Sequence, residues 1–284
     1  MLKAFANAKI NLLLDITGRE ENGYHTVNNI MQTVSLCDTV TLSCECKGIK
    51  IEYSDGYEVG PKDICLKAAT EYQRLAKRDV NADIFIEKVI PTAAGLGGNS
   101  SAAAAVLMLL QSEYRMLDDE QLLEIAKGLG ADVPFFLIGG TALCEHYGET
   151  VTSVDSLPEC YVVIAKKGAK SSTADMYRKI DNAELSQKGD LEGILAMLKN
   201  KDLDAVCEKM FNVFEKVSQS EDVEKIRSIM LKSSAKAAML SGSGPAVFGI
   251  FNREDTAKAV CEALVAAGVS AYLCKTEKVG IRIE

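Results

Sequence analysis

The chain has 284 residues, 48% hydrophobic and 25% charged, enough to bury a full core as two domains or one large one. A net charge of −8, with 32 Lys and Arg residues scattered outside any basic tract, argues against a dedicated nucleic-acid surface. No run approaches the ~18–20 apolar residues of a membrane span, and the opening Met-Leu-Lys-Ala-Phe-Ala-Asn-Ala-Lys has no signal-peptide core, so a soluble cytoplasmic protein is expected.

Residues 4–16 alternate strongly and predict a strand, 17–23 a polar turn, and 28–42 a second strand. With a period of two, Ala8, Ile10, Leu12 and Leu14 share one face and Asn7, Lys9 and Asn11 the other. A lysine so placed is ordinarily solvated, and the strand pattern alone leaves that role open beside a chemical one. A helix follows at about 63–78, then an alternating segment from Asp83 to Ile90, then helices at 102–117 and 119–129. Asp132 precedes Pro134 and a short apolar run, the pattern of an N-cap with proline in the first helical turn. That structural role does not exclude chemistry. Residues 143–152 read as strand and turn around Gly148 and Glu149, and 153–158 as a linker.

The second half opens with a strand at 160–165 and continues with helices near 173–179, 190–199, 202–217 and 222–232. Strands at 237–240 and 247–251 flank the glycine-rich Ser241-Gly242-Ser243-Gly244-Pro245, and a helix at 254–267 with strands at 270–274 and 279–283 completes an α+β pattern. Nine cysteines, mostly within apolar patterns and without a CxxC pair, point to reduced buried thiols rather than a metal site or disulfide framework.

The most informative stretch is Pro91-Thr-Ala-Ala-Gly95-Leu96-Gly97-Gly98-Asn99-Ser100-Ser101, a glycine loop running from a strand into an alanine-rich helix. Gly95, Gly97 and Gly98 can adopt positive φ and let a ligand approach the backbone. Ser100 and Ser101 bring hydroxyls to helical N–H groups that have no partner within the helix. A polyanion would satisfy those donors and the helix dipole together, each such interaction contributing roughly 0.3–1 kcal/mol. The loop lacks the Gly-Lys-Ser/Thr ending of a Walker A motif, and the residues alone leave a capped helix after a flexible turn as the alternative. Asn99 is expected to tolerate left-handed geometry, and valine at Gly97 to spoil phosphate binding while leaving the fold intact.

Taken in order, Ala8-Lys9-Ile-Asn11-Leu, Gly18-Arg19, Gly23-Tyr24-His25, Met31-Gln-Thr-Val-Ser-Leu-Cys-Asp38, the loop at 95–101, Asp132-Val-Pro-Phe-Phe and Ser241-Gly-Ser-Gly-Pro resemble the GHMP superfamily of small-molecule kinases. Within it, the match is to the branch that uses ATP to phosphorylate diphosphocytidyl methylerythritol on its 2-hydroxyl, in the non-mevalonate route to isoprenoids. The resemblance implies a two-domain α+β fold. An N-terminal nucleotide-binding domain would cover 1–152, with a left-handed β-α-β unit against the general rule, and a C-terminal ferredoxin-like α/β domain 153–284.

It also implies roles. Asp132 would be the base at the attacking hydroxyl, with Lys9 holding it ionised and offsetting charge that develops on oxygen. Pro91, Gly95, Leu96, Gly97, Gly98, Asn99, Ser100 and Ser101 would bind ATP, with Mg²⁺ carried chiefly by the nucleotide and water. Asn11, Tyr24, His25, Thr173 and Tyr177 would bind the substrate, the tyrosines enclosing the cytosine, and Ser241, Gly242, Ser243 and Gly244 would form a second glycine loop beside the site. Asp63 and Ala102 depart from the residues common in the family. The expected partner is a small molecule, not nucleic acid or membrane, and the protein would be a monomer or homodimer. Rival readings are another GHMP kinase acting on a small alcohol or amino acid, and a non-catalytic nucleotide-binding protein.

Overall fold

The structure is a computed structural model that describes residues 1–168, 172–183 and 187–284. Two long strands dominate it, β1 (Leu2–Arg19) and β2 (His25–Ser43), paired antiparallel from Leu2 opposite Leu42 to Arg19 opposite His25. Then follow β3 (Ile49–Tyr53), α1 (Ile64–Ala76), β4 (Ala82–Glu87), α2 (Gly98–Tyr114), α3 (Asp119–Leu129), α4 (Val133–Ile138), β5 (Thr141–His146) and β6 (Thr150–Ser153). The second half contains β7 (Tyr161–Lys166), α5 (Thr173–Asp181), α6 (Leu191–Lys199), α7 (Leu203–Lys209), β8 (Phe211–Asn212), α8 (Glu221–Lys232), β9 (Ala237–Leu240), β10 (Val247–Phe251), α9 (Glu254–Ala266), β11 (Ser270–Lys275) and β12 (Ile281–Ile283).

These strands form two sheets. The first runs β12-β1-β2-β4-β3, with β5 and β6 continuing from β2 and β8 lying parallel to β1. Within it β3 and β4 are adjacent and parallel and are joined through α1, a β-α-β unit. The second sheet has the order β11-β7-β10-β9 with every pairing antiparallel. With its helices this is the ferredoxin-like arrangement expected for the second half. A division at 152/153 cuts the last residue, Ser153, from β6, where it pairs with Ala142, and β8 and β12 return to pair with β1 in the first sheet.

Composition explains the layering. Ala102 to Val106, Leu107, Leu109 and Leu110 of α2 are all buried, so this helix is apolar around its circumference and packs as the central helix of the first half. Helix α3 opens with a capping box in which Asp118 and Gln121 satisfy each other's backbone N–H groups. No described helix is long and apolar enough to cross a membrane.

Three expectations change. Bulges in β1 between Asn7 and Ala8 and between Asn11 and Leu13 interrupt the simple alternation, so Leu12, Leu13 and Leu14 are all buried. Lys9 is only 4% exposed, which removes the solvated-lysine reading. The helix expected over 202–217 ends at Lys209, because Phe211 and Asn212 pair with Leu13 and Leu14 and a 3-10 turn follows at Val213–Lys216. Asn212 holds that break in place: its buried amide donates to Leu240 O and Gly242 O at 2.8 and 2.9 Å.

Candidate active site

Strand β1, the loop preceding α2, the start of α4, the 241–244 loop and α5 converge on one cavity of about 440 Å³. Lys9 reaches it from β1. Its Nζ donates to Asn11 Oδ1 at 2.8 Å and stands 3.9 Å from Asp132 Oδ2. Asp132 precedes α4, yet its side chain makes no capping bond, and the carboxylate remains 35% exposed toward the cavity. The proline of α4 thus starts the helix without using the aspartate. Asp132 is the only carboxylate lining the cavity among the described residues.

Asn11 joins this pair to the second glycine loop. Its Oδ1 also accepts from Gly242 N at 2.8 Å, and its Nδ2 donates to Asn29 Oδ1 at 2.7 Å. The expected substrate residue therefore lines the cavity with both amide atoms engaged inside the protein. Ser241 Oγ donates to Gly95 O at 2.9 Å, so the two glycine loops touch.

The glycines of the first loop are needed for reasons the sequence does not display. Gly95 has φ +82°, and a Cβ on it would meet Ser241 O at 2.1 Å. Gly97 has φ +73°, and its Cβ would meet the Phe136 ring at 2.6 Å. Gly98 would press on Ile90. These glycines are thus required by packing against protein neighbours, and all three also line the cavity. Asn99 lies within α2 rather than in a left-handed turn, so its tolerance of that geometry is not used. What the loop offers an anion is the N-terminus of α2, whose N-cap Gly97 has no side chain to occupy the first-turn N–H groups. Pro91, Gly95, Leu96, Gly97, Gly98, Asn99 and Ser100 line the cavity, whereas Ser101 is fully buried outside it with an unpartnered hydroxyl.

Lys88 was not singled out in the sequence, although it immediately precedes the loop. It lines the cavity and pairs with the buried Asp38, which also accepts from Val89 N and Ile90 N at 2.7 and 2.8 Å.

A second recess of about 450 Å³ shares Tyr147, Thr173 and Tyr177 with the first and is lined also by Tyr24 and His25. Thr173 Oγ1 lies 3.2 Å from Ser243 Oγ, linking α5 to the second glycine loop. The two tyrosines expected to enclose a base line this recess but face different neighbours. Tyr24, 66% exposed, meets Tyr147 at 5.5 Å between ring centroids, while Tyr177 stacks on His25 at 4.7 Å. Burial, and after it the Asp132 charge, push the Tyr177 phenol up to about 12, so it stays neutral at physiological pH. His25 Nε2 lies 2.6 Å from Asp181 Oδ1, and the hydrogen bond from His25 holds that carboxyl below its ordinary range. Asp181 also went unnoticed in the sequence. It continues the stripe of Thr173 and Tyr177 at four-residue spacing, a signal available once α5 is taken as a helix. Tyr147, by contrast, has no motif around it.

A cavity with a bare helix N-terminus, two lysines and one carboxylate on a two-domain α+β scaffold is the arrangement that a small-molecule phosphotransferase needs. Comparison with known proteins agrees. The family model for the GHMP kinases N terminal domain matches residues 63–140, and that for the GHMP kinases C terminal domain matches 183–270. A 4-diphosphocytidyl-2-C-methyl-D-erythritol kinase from Alkaliphilus metalliredigens is 39% identical over 265 residues, 91% of each chain. One from Lachnospira eligens is 36% identical over 96% of each. A crystal structure of 4-(cytidine 5'-diphospho)-2C-methyl-D-erythritol kinase superposes with a TM-score of 0.84 at 30% identity, covering 96% of this chain and 98% of the other. The chain belongs to the 4-diphosphocytidyl-2-C-methyl-D-erythritol kinase family of the GHMP kinases. A homoserine kinase from Cytophaga hutchinsonii, 18% identical with a TM-score of 0.75, shares the fold.

Proposed function

We propose that this cavity is where the protein transfers the γ-phosphoryl group of ATP to the 2-hydroxyl of 4-diphosphocytidyl-2-C-methyl-D-erythritol, as a cytoplasmic enzyme of isoprenoid precursor synthesis. The observation that carries the reading is the meeting of Lys9 and Asp132, 3.9 Å apart, beside the bare N-terminus of α2 in one cavity. The N–H groups of that terminus and the loop from Pro91 to Ser100 cradle the nucleotide phosphates. Asp132 Oδ accepts the proton of the substrate hydroxyl as the oxygen forms its bond to the γ-phosphorus and the bond to the ADP oxygen breaks. Lys9 then offsets the negative charge on the oxygens in the transition state. Phosphoryl transfer asks for position and charge more than covalent work, and Asn11 supplies position by fixing both Lys9 and Gly242.

Mg²⁺ would neutralise phosphate charge on the nucleotide. The donor set fits a metal held mainly by ATP oxygens and water, since Asp132 is the single lining carboxylate among the described residues, beside the loop hydroxyls of Thr92 and Ser100. In the adjoining recess Tyr24, His25, Thr173 and Tyr177 would hold the cytidine end.

The test is incubation with ATP, Mg²⁺ and the diphosphocytidyl substrate, followed by phosphorus NMR. A new phosphomonoester resonance with stoichiometric ADP is expected. Phosphorylation of homoserine or mevalonate instead would move the chain to another GHMP activity, and no phosphoryl transfer at all would favour a nucleotide-binding protein without catalysis.

A further inference from the structure

Asp181 stands on α5, in the second half of the chain, and His25 begins β2, in the first. Their contact spans 156 positions at 2.6 Å and closes one wall of the recess. The imidazole is held on two sides: its face lies on Tyr177, with ring planes 23° apart, and its Nε2 lies on Asp181 Oδ1. The other carboxylate oxygen, Oδ2, is 3.4 Å from Arg19 Nη1, and Arg19 Nε donates to Gly23 O at 3.3 Å, tying the carboxylate to the turn that carries Tyr24. Among the described residues, His25 Nδ1 makes no hydrogen bond.

We propose that Asp181 is a positioning and specificity residue that fixes the tautomer of His25, so that the recess selects a base bearing an exocyclic amino group. The proposal rests on the reading of this recess as the base-binding end of the substrate site.

The chemistry follows from what each group can offer. An ionised carboxylate only accepts hydrogen bonds, so Nε2 must carry the proton it shares with Asp181. The lowered carboxyl of Asp181 and the nearby guanidinium both keep that acceptor ionised. In a neutral imidazole the proton on Nε2 leaves Nδ1 as a lone-pair acceptor. An acceptor at that position pairs with an amino group, such as the 4-amino group of cytosine, and meets the 4-oxo group of uracil acceptor against acceptor. Cytosine and uracil have nearly the same shape, so discrimination between them must come from such a donor–acceptor pattern, and an unmatched polar pair is what penalises the wrong base. Without Asp181, the proton can sit on either ring nitrogen and the preference weakens.

The experiment has two arms. The chain contains only two histidines, so ¹⁵N-histidine labelling gives two ring systems, assigned by their loss in His25→Gln. The wild-type protein should show His25 with its proton on Nε2, and Asp181→Ala should redistribute it. A wild-type His25 protonated on Nδ1 alone would overturn the proposal, whether or not Asp181→Ala folds. The second arm measures kinetics with the diphosphocytidyl substrate and its diphosphouridyl analogue. Asp181→Asn should raise KM for the cytidine substrate roughly tenfold and narrow the cytosine-to-uracil preference by a similar factor, with kcat and KM for ATP near wild type. Unchanged cytidine KM and preference, or an equal rise in the ATP KM, would overturn it. Failure of the wild-type enzyme to phosphorylate the diphosphocytidyl substrate would instead count against the proposed function, while the NMR arm would still decide the link between Asp181 and His25.

Discussion

Lys9 Nζ lies 3.9 Å from Asp132 Oδ2, an ammonium on a strand facing a carboxylate at the entrance to a helix. The separation exceeds hydrogen-bond length, and the carboxylate is more open than the lysine, 35% against 5% by side chain. Asp132 is thus reachable by a hydroxyl from the cavity while Lys9 backs it. Asp132→Asn should lower kcat by about 10²–10⁴, the usual worth of a general base, and leave ATP affinity close to wild type. Because Asp132 makes no capping bond in α4, thermal melting should change little. Near-full turnover in this variant would leave the residue without a catalytic role.

Asn11 should prove costly in a different way. Asn11→Ala strands the Gly242 N–H and the Asn29 side-chain oxygen Oδ1 and removes one of the partners of Lys9 Nζ, the acceptor at 2.8 Å. Each buried group left without a partner costs about 1–3 kcal/mol. Both the melting temperature and kcat are therefore expected to fall, measured by calorimetry and steady-state assay. A folded variant with wild-type stability would show that the amide network does not hold the two glycine loops together.

Gly97 answers a question of packing. A Cβ at this residue would lie 2.6 Å from the Phe136 ring and 3.1 Å from Lys9 Cγ, in a backbone of φ +73°. Gly97→Ala is expected to cost ~1–3 kcal/mol from overpacking, together with ~1–2 kcal/mol for the left-handed backbone. Gly97→Val should fail to fold stably, contrary to the expectation of an intact protein that merely loses ATP. Phe136→Leu in the Gly97→Ala background should recover part of the loss in chemical denaturation. Full stability of Gly97→Ala alone would contradict the packing account.

Tyr24 is the cleaner probe of base recognition, since at 66% exposure it supports little of the core. Tyr24→Ala should weaken the cytidine substrate by about 1–3 kcal/mol, roughly five- to 150-fold, while sparing an ATP analogue. Titration calorimetry with each ligand separates the outcomes: equal losses would mean general damage, and no loss would remove Tyr24 from the substrate site.

Much of this architecture was legible from local patterns. The strand-loop-helix around Gly95–Ser101 and the proline after Asp132 carry their signals in adjacent residues, and α5 and α9 show theirs in apolar spacing. What escaped depends on distant partners. The break after Lys209 exists because Asn212 reaches Leu240 and Gly242, and no local propensity records that. Lys88 reads as one polar position in an alternating run until Asp38, 50 positions earlier, draws its ammonium beneath the loop. The glycines were recognised, but their neighbours Phe136 and Ser241 come from other parts of the chain, so the packing that also requires them has no local signal.

The pairing of β12 with β1 has a consequence in time. The segment just before Lys9 is clasped by residues that emerge far later: Asn7 Nδ2 donates to Val279 O across 272 positions, and Asn7 N donates to Gly280 O. Closing so wide a loop carries an entropic cost that shorter-range contacts do not share. The first-sheet hairpin can therefore assemble early on a ribosome while the strand bearing Lys9 still has an open edge. Turnover should appear only when residues 279–283 have been released and docked, so a growing chain would acquire its shape before its activity.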